Sequence, residues 1–175
     1  MRIKTHMGVS VDGFVATSDG LPVLLSMPAF DGPRSWGHPE FIADCGAVLM
    51  GRTTFLPALG AADWPWPGYR VFVLTSSPLP PGTPSDVVSA ADPKELLELM
   101  RAADFEGDVH LVGGPSTIEA FRGIGALDSL GVVVLPVLLG DGTRLTSPGS
   151  DRLPLRLESS RTFPDGAVEH LYSPA

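Results

Sequence analysis

The sequence predicts an α/β fold with a mixed, mostly parallel central sheet flanked by helices and closed by antiparallel C-terminal strands. Three observations carry that prediction. Continuous apolar runs at Ala47-Val48-Leu49-Met50, Val71-Phe72-Val73-Leu74 and Val109-His110-Leu111-Val112 have the character of strands covered on both faces. Helix-start signals fall between and after these runs, and alternating strand and helix is the signature of a parallel sheet. Residues 155–159 and 167–172 alternate apolar and polar, as an antiparallel hairpin does. The 175 residues, 43% of them hydrophobic, suit a single domain spanning 1–175.

In chain order, residues 2–11 read as the first strand, Asp12-Gly13 as a turn, and Phe14-Val15-Ala16 as a resumed apolar run. Residues 17–38 are rich in Gly, Pro, Asp and Ser, and read as a functional or flexible loop. Pro39 opens a short helix over 39–44. After Gly51, residues 52–56 open a helix that stops before Pro57. Asp92-Pro93-Lys94-Glu95 is a strong helix start, with Asp92 as cap and Pro93 at the first helical position. That helix turns Leu96, Leu97, Leu99 and Met100 toward a core. A further helix covers 117–122, and a strand covers 130–139 around Pro136.

Composition excludes several functions. Twelve basic against twenty acidic side chains give a net charge of −8, so no basic face exists to displace counterions from nucleic acid. One cysteine, Cys45, permits neither an internal disulfide nor a thiolate metal site. His38-Pro39-Glu40 matches half of a zinc deaminase signature whose Cys-x-x-Cys partner is missing, and no metal is expected. The G-x-G-x-x-G, P-loop and G-x-S-x-G motifs do not occur. No apolar run reaches membrane-spanning length and no signal peptide fits the start, so a cytoplasmic protein is expected.

The positive signals are two strand ends that break into glycine where a helix begins, at Met50-Gly51-Arg52-Thr53 and Val112-Gly113-Gly114-Pro115-Ser116. Glycine lets a phosphate approach the backbone, and a helix start offers free N–H groups and a favourable dipole. Arg52 can pair bidentately with a phosphate, and the hydroxyls of Thr53, Ser76 and Ser77 can complete the pocket. Asp12 ends the first strand, where side chains face a ligand crevice, although Asp-Gly is also a favourable turn. Trp36, Trp64 and Trp66 lie in loops and either wall a ring pocket or cover the core.

In order along the chain, Val9-Ser10-Val11-Asp12-Gly13-Phe14-Val15-Ala16, Val48-Leu49-Met50-Gly51-Arg52-Thr53-Thr54, Leu111-Val112-Gly113-Gly114-Pro115 and Pro136-Val137-Leu138-Leu139-Gly140-Asp141-Gly142 resemble the dihydrofolate reductase-like superfamily. The closer resemblance is to the reductase (C-terminal) domain of the riboflavin-biosynthesis deaminase/reductase and its stand-alone relatives. It implies an NADPH-dependent oxidoreductase acting on a pterin- or pyrimidine-like heterocycle, such as 5-amino-6-(5-phosphoribosylamino)uracil, and a homodimer. By motif position, Gly51, Arg52 and Thr53 would hold the adenosine-side phosphates, Ser76 and Ser77 the 2′-phosphate, and Gly113, Gly114, Pro115 and Ser116 the pyrophosphate. Gly8, Val15 and Ala16 would approach the nicotinamide. On the acceptor side, the candidates are Trp36 as a wall, Asp31 (with Glu40 and Asp44 nearby) as a carboxylate, and Val112. Asp12, or a water it holds, is the candidate proton source. Two departures stand out: Phe14 replaces a usual Lys, and Val112 replaces a frequent acidic residue. They motivate an alternative, a non-catalytic NADPH-binding or sensing module; a plain structural partner domain is a third reading.

Overall fold

The computed structural model describes the backbone of residues 1–175 and every side chain except that of residue 33. In chain order the elements are β1 (Ile3–Ser10), β2 (Phe14–Ala16), α1 (His38–Ile42), β3 (Cys45–Gly51), α2 (Arg52–Leu59), β4 (Arg70–Leu74), β5 (Val88–Ala90) and α3 (Pro93–Ala102). They continue with β6 (Asp108–Gly113), α4 (Pro115–Gly123), β7 (Ser129–Leu135), β8 (Thr143–Arg144), β9 (Leu155–Thr162) and β10 (Val168–Pro174). An eight-stranded sheet runs β5-β4-β3-β6-β1-β7-β10-β9, and β2 pairs with β8 in a separate ribbon. The β5-β4, β4-β3, β3-β6 and β6-β1 pairs are parallel, and β10 is antiparallel to both β7 and β9. The expected mixed, mostly parallel sheet with flanking helices and antiparallel C-terminal strands is therefore the fold. Among the described residues no helix is long and apolar enough to cross a membrane.

Chain contacts divide the protein into two compact units, residues 1–4 with 44–127, and residues 5–43 with 128–175. In the first unit, Val48, Met50, Phe55, Val71 and Val73 form a buried cluster against which Trp64 and Trp66 pack. These two tryptophans cover core, with the Trp64 indole N–H donating to the Trp66 carbonyl at 3.1 Å. The Asp92 cap is present: its carboxylate accepts from the backbone N–H of Lys94 and Glu95 at 2.8 and 3.0 Å. Leu96, Leu97 and Met100 are buried, but Leu99 is 39% exposed, against expectation. At 100° per residue, position 99 falls outside the arc shared by the other three. Helix α2 also runs through Pro57 to Leu59 instead of stopping before it. Proline there removes one backbone bond near a helix end, and Phe55, fully buried, holds the segment to the core.

In the second unit, β7 ends at Leu135 rather than continuing to 139. Pro136 has no N–H for a ladder, and the chain turns around it, with Val137 N donating to Leu135 O at 2.7 Å. Alternation along β7 sends Val133 and Leu135 into a cluster with Val23, Trp36 and Ala167, and Val132 into another with Val9 and Val15. The segment over residues 17–38 is thus no open loop. It carries turns of 3-10 helix at Val23–Ser26 and Gly32–Arg34, and Val23 is fully buried.

A buried polar network joins α1 to the sheet of this unit. Glu169 Oε1 lies 2.7 Å from His6 Nε2, and its Oε2 accepts from Arg161 Nε at 2.6 Å. Burial alone would raise the Glu169 carboxyl; the bonds from His6 and Arg161 outweigh that and hold it below its ordinary value. The His6 ring stacks on Phe41 at 5.0 Å and lies 5.9 Å from His38. Gly37, at φ 77°, precedes α1, and a Cβ there would overlap the Arg161 guanidinium, so the network requires glycine at that position.

Burial, and secondarily His6, push His38 down to about 4 from 6.5. The unfolded chain therefore takes up a proton on this ring at a higher pH than the folded chain, and stability present above pH 6.5 is lost as pH falls toward 4. The urea midpoint should fall between pH 6.5 and about 5, and fall less steeply in His38→Gln. Parallel pH curves for the two proteins would exclude this ring as the source.

Candidate functional site

In the first unit, the adjacent parallel strands β3 and β6 both finish in glycine, and a helix leaves each end. The N-caps Gly51 and Gly114 provide no side-chain hydrogen bond to the helices they begin, unlike Asp92 of α3. The first N–H groups of α2 and α4 are thus left without side-chain caps, at the positive ends of two helix dipoles. A Cβ on Gly51 would stand 2.6 Å from Thr117 Oγ1 of α4, so glycine lets the two helix starts meet. At Gly114 the equivalent Cβ would meet nothing within 4 Å, leaving the backbone approachable. The Gly113–Gly114 peptide is cis.

Arg52, the first residue of α2, donates from Nη1 to the Pro78 carbonyl at 2.8 Å and has no carboxylate partner among the described residues. That contact brings it beside the turn carrying Ser76 and Ser77, both exposed, as are Thr53 and Ser116. Gly51, Arg52, Thr53, Ser76, Ser77, Gly113, Gly114, Pro115 and Ser116 thus gather at one end of the unit's strands, with exposed hydroxyls, open backbone and the Arg52 cation. Val112 points elsewhere: it packs on the Val48–Met50–Phe55 cluster and offers no polar group.

The second unit holds the remaining candidates. Asp12 follows β1, and its carboxylate accepts from Leu139 N at 3.1 Å and Gly140 N at 2.7 Å. The Ser10 hydroxyl and these backbone N–H groups hold the carboxyl down at about 2, so near neutrality it carries no proton to give. Asp12 anchors the 137–142 turn to the end of β1, and the expectation that it donates a proton itself gives way to that role. Val15 is 5% exposed and packs with Val9 and Val132 in the core. Ala16 is half-buried. Gly8 is buried, and a Cβ on it would meet Leu24 and Leu135 at 3.0 and 3.1 Å, so Leu24 already covers that face.

Two acceptor-side expectations meet a physical obstacle. Trp36 is 8% exposed within the core cluster, and its indole N–H donates to Asp165 at 2.7 Å, so it covers core instead of walling a pocket. Asp31 is bound through both oxygens to Arg34 at 2.8 and 2.9 Å, an exposed local ion pair. His38 packs with His6 and Phe41, and no group of three or more His, Cys, Asp or Glu among the described residues is placed to hold a metal ion.

Sequence reasoning missed two residues. Thr117 carries no motif and matters because it touches Gly51 across neighbouring strands. Arg144 sits opposite Phe14 in the β2–β8 ribbon, its guanidinium carbon 4.4 Å from the ring centroid. Nothing local marks either one, because the signal is the pairing of distant segments.

If Asp12 anchors the turn, Asp12→Ala should speed hydrogen exchange at the Leu139 and Gly140 amides by about tenfold, the effect of losing a charge-assisted bond. Exchange at the β4 amides should stay unchanged. Equal rates at Leu139 and Gly140 in the two proteins would remove the anchoring role.

Comparison with known proteins gives the family and the fold. Residues 2–168 match the RibD C-terminal domain family. The chain is 35% identical over 181 residues to the uncharacterized protein YyaP of Bacillus subtilis (strain 168), covering 98% of this chain and 94% of that protein. A structure from Shewanella sp. PV-4, assigned to riboflavin biosynthesis, superposes with a TM-score of 0.82 at 24% identity, covering 100% of this chain and 99% of the other. The diaminohydroxyphosphoribosylaminopyrimidine deaminase/5-amino-6-(5-phosphoribosylamino)uracil reductase of Thermotoga maritima superposes with a TM-score of 0.71 at 16% identity, over 99% of this chain and 56% of that longer one. Matched over residues 2–168, the chain belongs to the RibD C-terminal domain family.

Proposed function

We propose that the protein is an NADPH-dependent reductase that transfers a hydride to a small heterocyclic, pterin- or pyrimidine-like acceptor. The observation that supports this best is the pair of helix starts without side-chain caps at Gly51 and Gly114, with Arg52 beside them lacking a carboxylate partner among the described residues. Helix starts without side-chain caps, a helix dipole and a planar fork of donors are chemistry that suits a phosphate. The donor set fits a phosphate-bearing dinucleotide, and the open backbone at Gly114 gives a pyrophosphate room to approach.

In this reading Gly51, Arg52 and Thr53 hold the adenosine-side phosphates. Ser76 and Ser77 take the 2′-phosphate, and residues 113–116 take the pyrophosphate. Gly8, Val15 and Ala16 contribute backbone toward the nicotinamide, with Leu24 displaced from Gly8. Bound NADPH supplies the hydride; the protein supplies orientation and exclusion of water. Asp12, held ionised, fixes the 137–142 turn, so the acceptor's proton comes from water. An acceptor such as 5-amino-6-(5-phosphoribosylamino)uracil is the substrate type that membership of this family favours, and a two-fold homodimer in the cytoplasm is the setting.

A second reading, a module that binds NADPH without reducing anything, is favoured by one observation: Asp31, Trp36 and Val112 are occupied by contacts within the chain. Titration with NADPH and NADH, followed by tryptophan fluorescence, tests both readings. NADPH should bind in the micromolar range and NADH far more weakly, and Arg52→Ala should weaken NADPH by about tenfold or more, the worth of a charge-assisted bond. Absence of binding to the folded protein would refute both readings. Binding without NADPH oxidation across a panel of pterins, pyrimidines and quinoid rings would select the second.

A further inference from the structure

We infer that a second copy of this chain docks on the face shared by β7, β10 and β9, on the side of the sheet that the β2–β8 ribbon partly covers. This gives the proposed two-fold homodimer its interface and rests on no other part of that reading.

Directly opposite residues of antiparallel strands lie on the same face of a sheet. Strand β10 sets Val168, His170 and Tyr172 opposite Val134, Val132 and Leu130 of β7. Strand β9 sets Thr162, Ser160 and Leu157 opposite the same three residues of β10. The ribbon covers only the inner end of this face, where Val15 and Leu145 pack with Val9 and Val132. Burial then falls from strand to strand. Val132 is 9% exposed, His170 and Tyr172 are half-buried, and Leu157 is 52% exposed.

The charge of this face says what fits it. None of its residues is Asp, Glu, Lys or Arg, in a chain with twelve basic and twenty acidic side chains. The charges of β9 and β10 are engaged among themselves instead. Arg161 bonds Glu169, which lies opposite it on the other face, and Arg156 bonds Glu158 and Ser173.

A two-fold axis brings the same patch of each copy together. Two chains of net charge −8 repel, and a face without carboxylates lets them meet with no like charges in contact. Depletion of charge with tyrosine present is also the composition of an interface core. A strongly charged partner finds no complement there. Pairing along the free edge of β9 is disfavoured, because the ladder slips between Leu171 and Tyr172 and three charged residues lie along that strand. The copies therefore pack face to face, as two sheets about 10 Å apart.

The test is sedimentation equilibrium of the full chain over about a hundredfold range of concentration, where a monomer–dimer equilibrium is expected. Leu157→Glu puts a charge into the docked face and should weaken dimerisation by about tenfold or more, because a buried charge without a partner is costly. Leu155→Glu, opposite Pro174 on the same face, should act in the same direction. Ser159→Glu, exposed on the other face of the same strand, should change nothing. All three positions are exposed in the single chain, so circular dichroism of the variants should match the parent.

A monomer at every concentration would mean that something other than a second copy covers this face, and would overturn the proposal. A dimer indifferent to Leu157→Glu and Leu155→Glu would overturn it too. Equal loss in Ser159→Glu would move the contact to the strand edge and overturn the face. A dimer that binds no NADPH would leave the interface standing without the reductase reading, and a monomer that binds NADPH would do the reverse.

Discussion

Two parallel strands that are neighbours in a sheet must send their chains away from the same edge. The residues directly after each strand decide what that edge can bind. In this protein β3 ends in Gly51, which leads directly into α2, and β6 ends in Gly113, with Gly114 as the cap between it and α4. Thr117 fixes how close the two helices can start, because its hydroxyl occupies the space that any side chain at residue 51 would need. Arg52, the serine turn beside it and the exposed Ser116 all take their places from that packing. The absence of side-chain caps on α2 and α4 is the counterpart of the cap on α3. Where Asp92 satisfies the N–H groups of a helix start, no anion is invited; where glycine stands, no cap side chain competes for the helix start.

The second unit handles charge by a different principle. Its buried carboxylate, Glu169, sits between a histidine and an arginine. Removing one partner from such an arrangement costs more than forming it gains, because the remaining charge is stranded. Asp12 is a second, half-buried version of the same logic, with backbone N–H groups in place of a cation. A carboxylate used to hold a turn must stay ionised, and a residue kept ionised is unsuited to giving up a proton. Position at the end of the first strand therefore says where Asp12 acts, while its hydrogen bonds say how.

Much of this architecture is legible in the residues. The three buried apolar runs, the Asp92-Pro93 start and the alternating tail correspond to β3, β4, β6, α3 and the β9–β10 hairpin. The departures have specific causes. Proline misleads in both directions: at Pro57 a buried Phe55 holds the helix together, and at Pro136 the strand ends. Leu99 shows that apolar composition does not fix which side of a helix faces the core. The short strands β5 and β8 carry too few residues for any periodicity to appear. Among candidate ligand residues, the glycine-led ends can be read because strand, glycine and helix are contiguous. Trp36 and Asp31 cannot be assigned from the residues alone, because their partners Asp165 and Arg34 are settled only by tertiary and turn geometry. Arg144 is invisible for the same reason.

The position of β1 has a consequence for how the chain reaches this structure. Arg2, just before it, binds Asp108, 106 residues later, and the first residues of β1 pair with β6. Loop closure over that distance is entropically costly, and contacts of such long sequence separation slow folding relative to local ones. The ladder between β1 and β6 cannot form until β6 has been made. Until then the backbone groups of β1 on that side stand open to wrong pairings, and β7, β9 and β10 are added to the sheet later still.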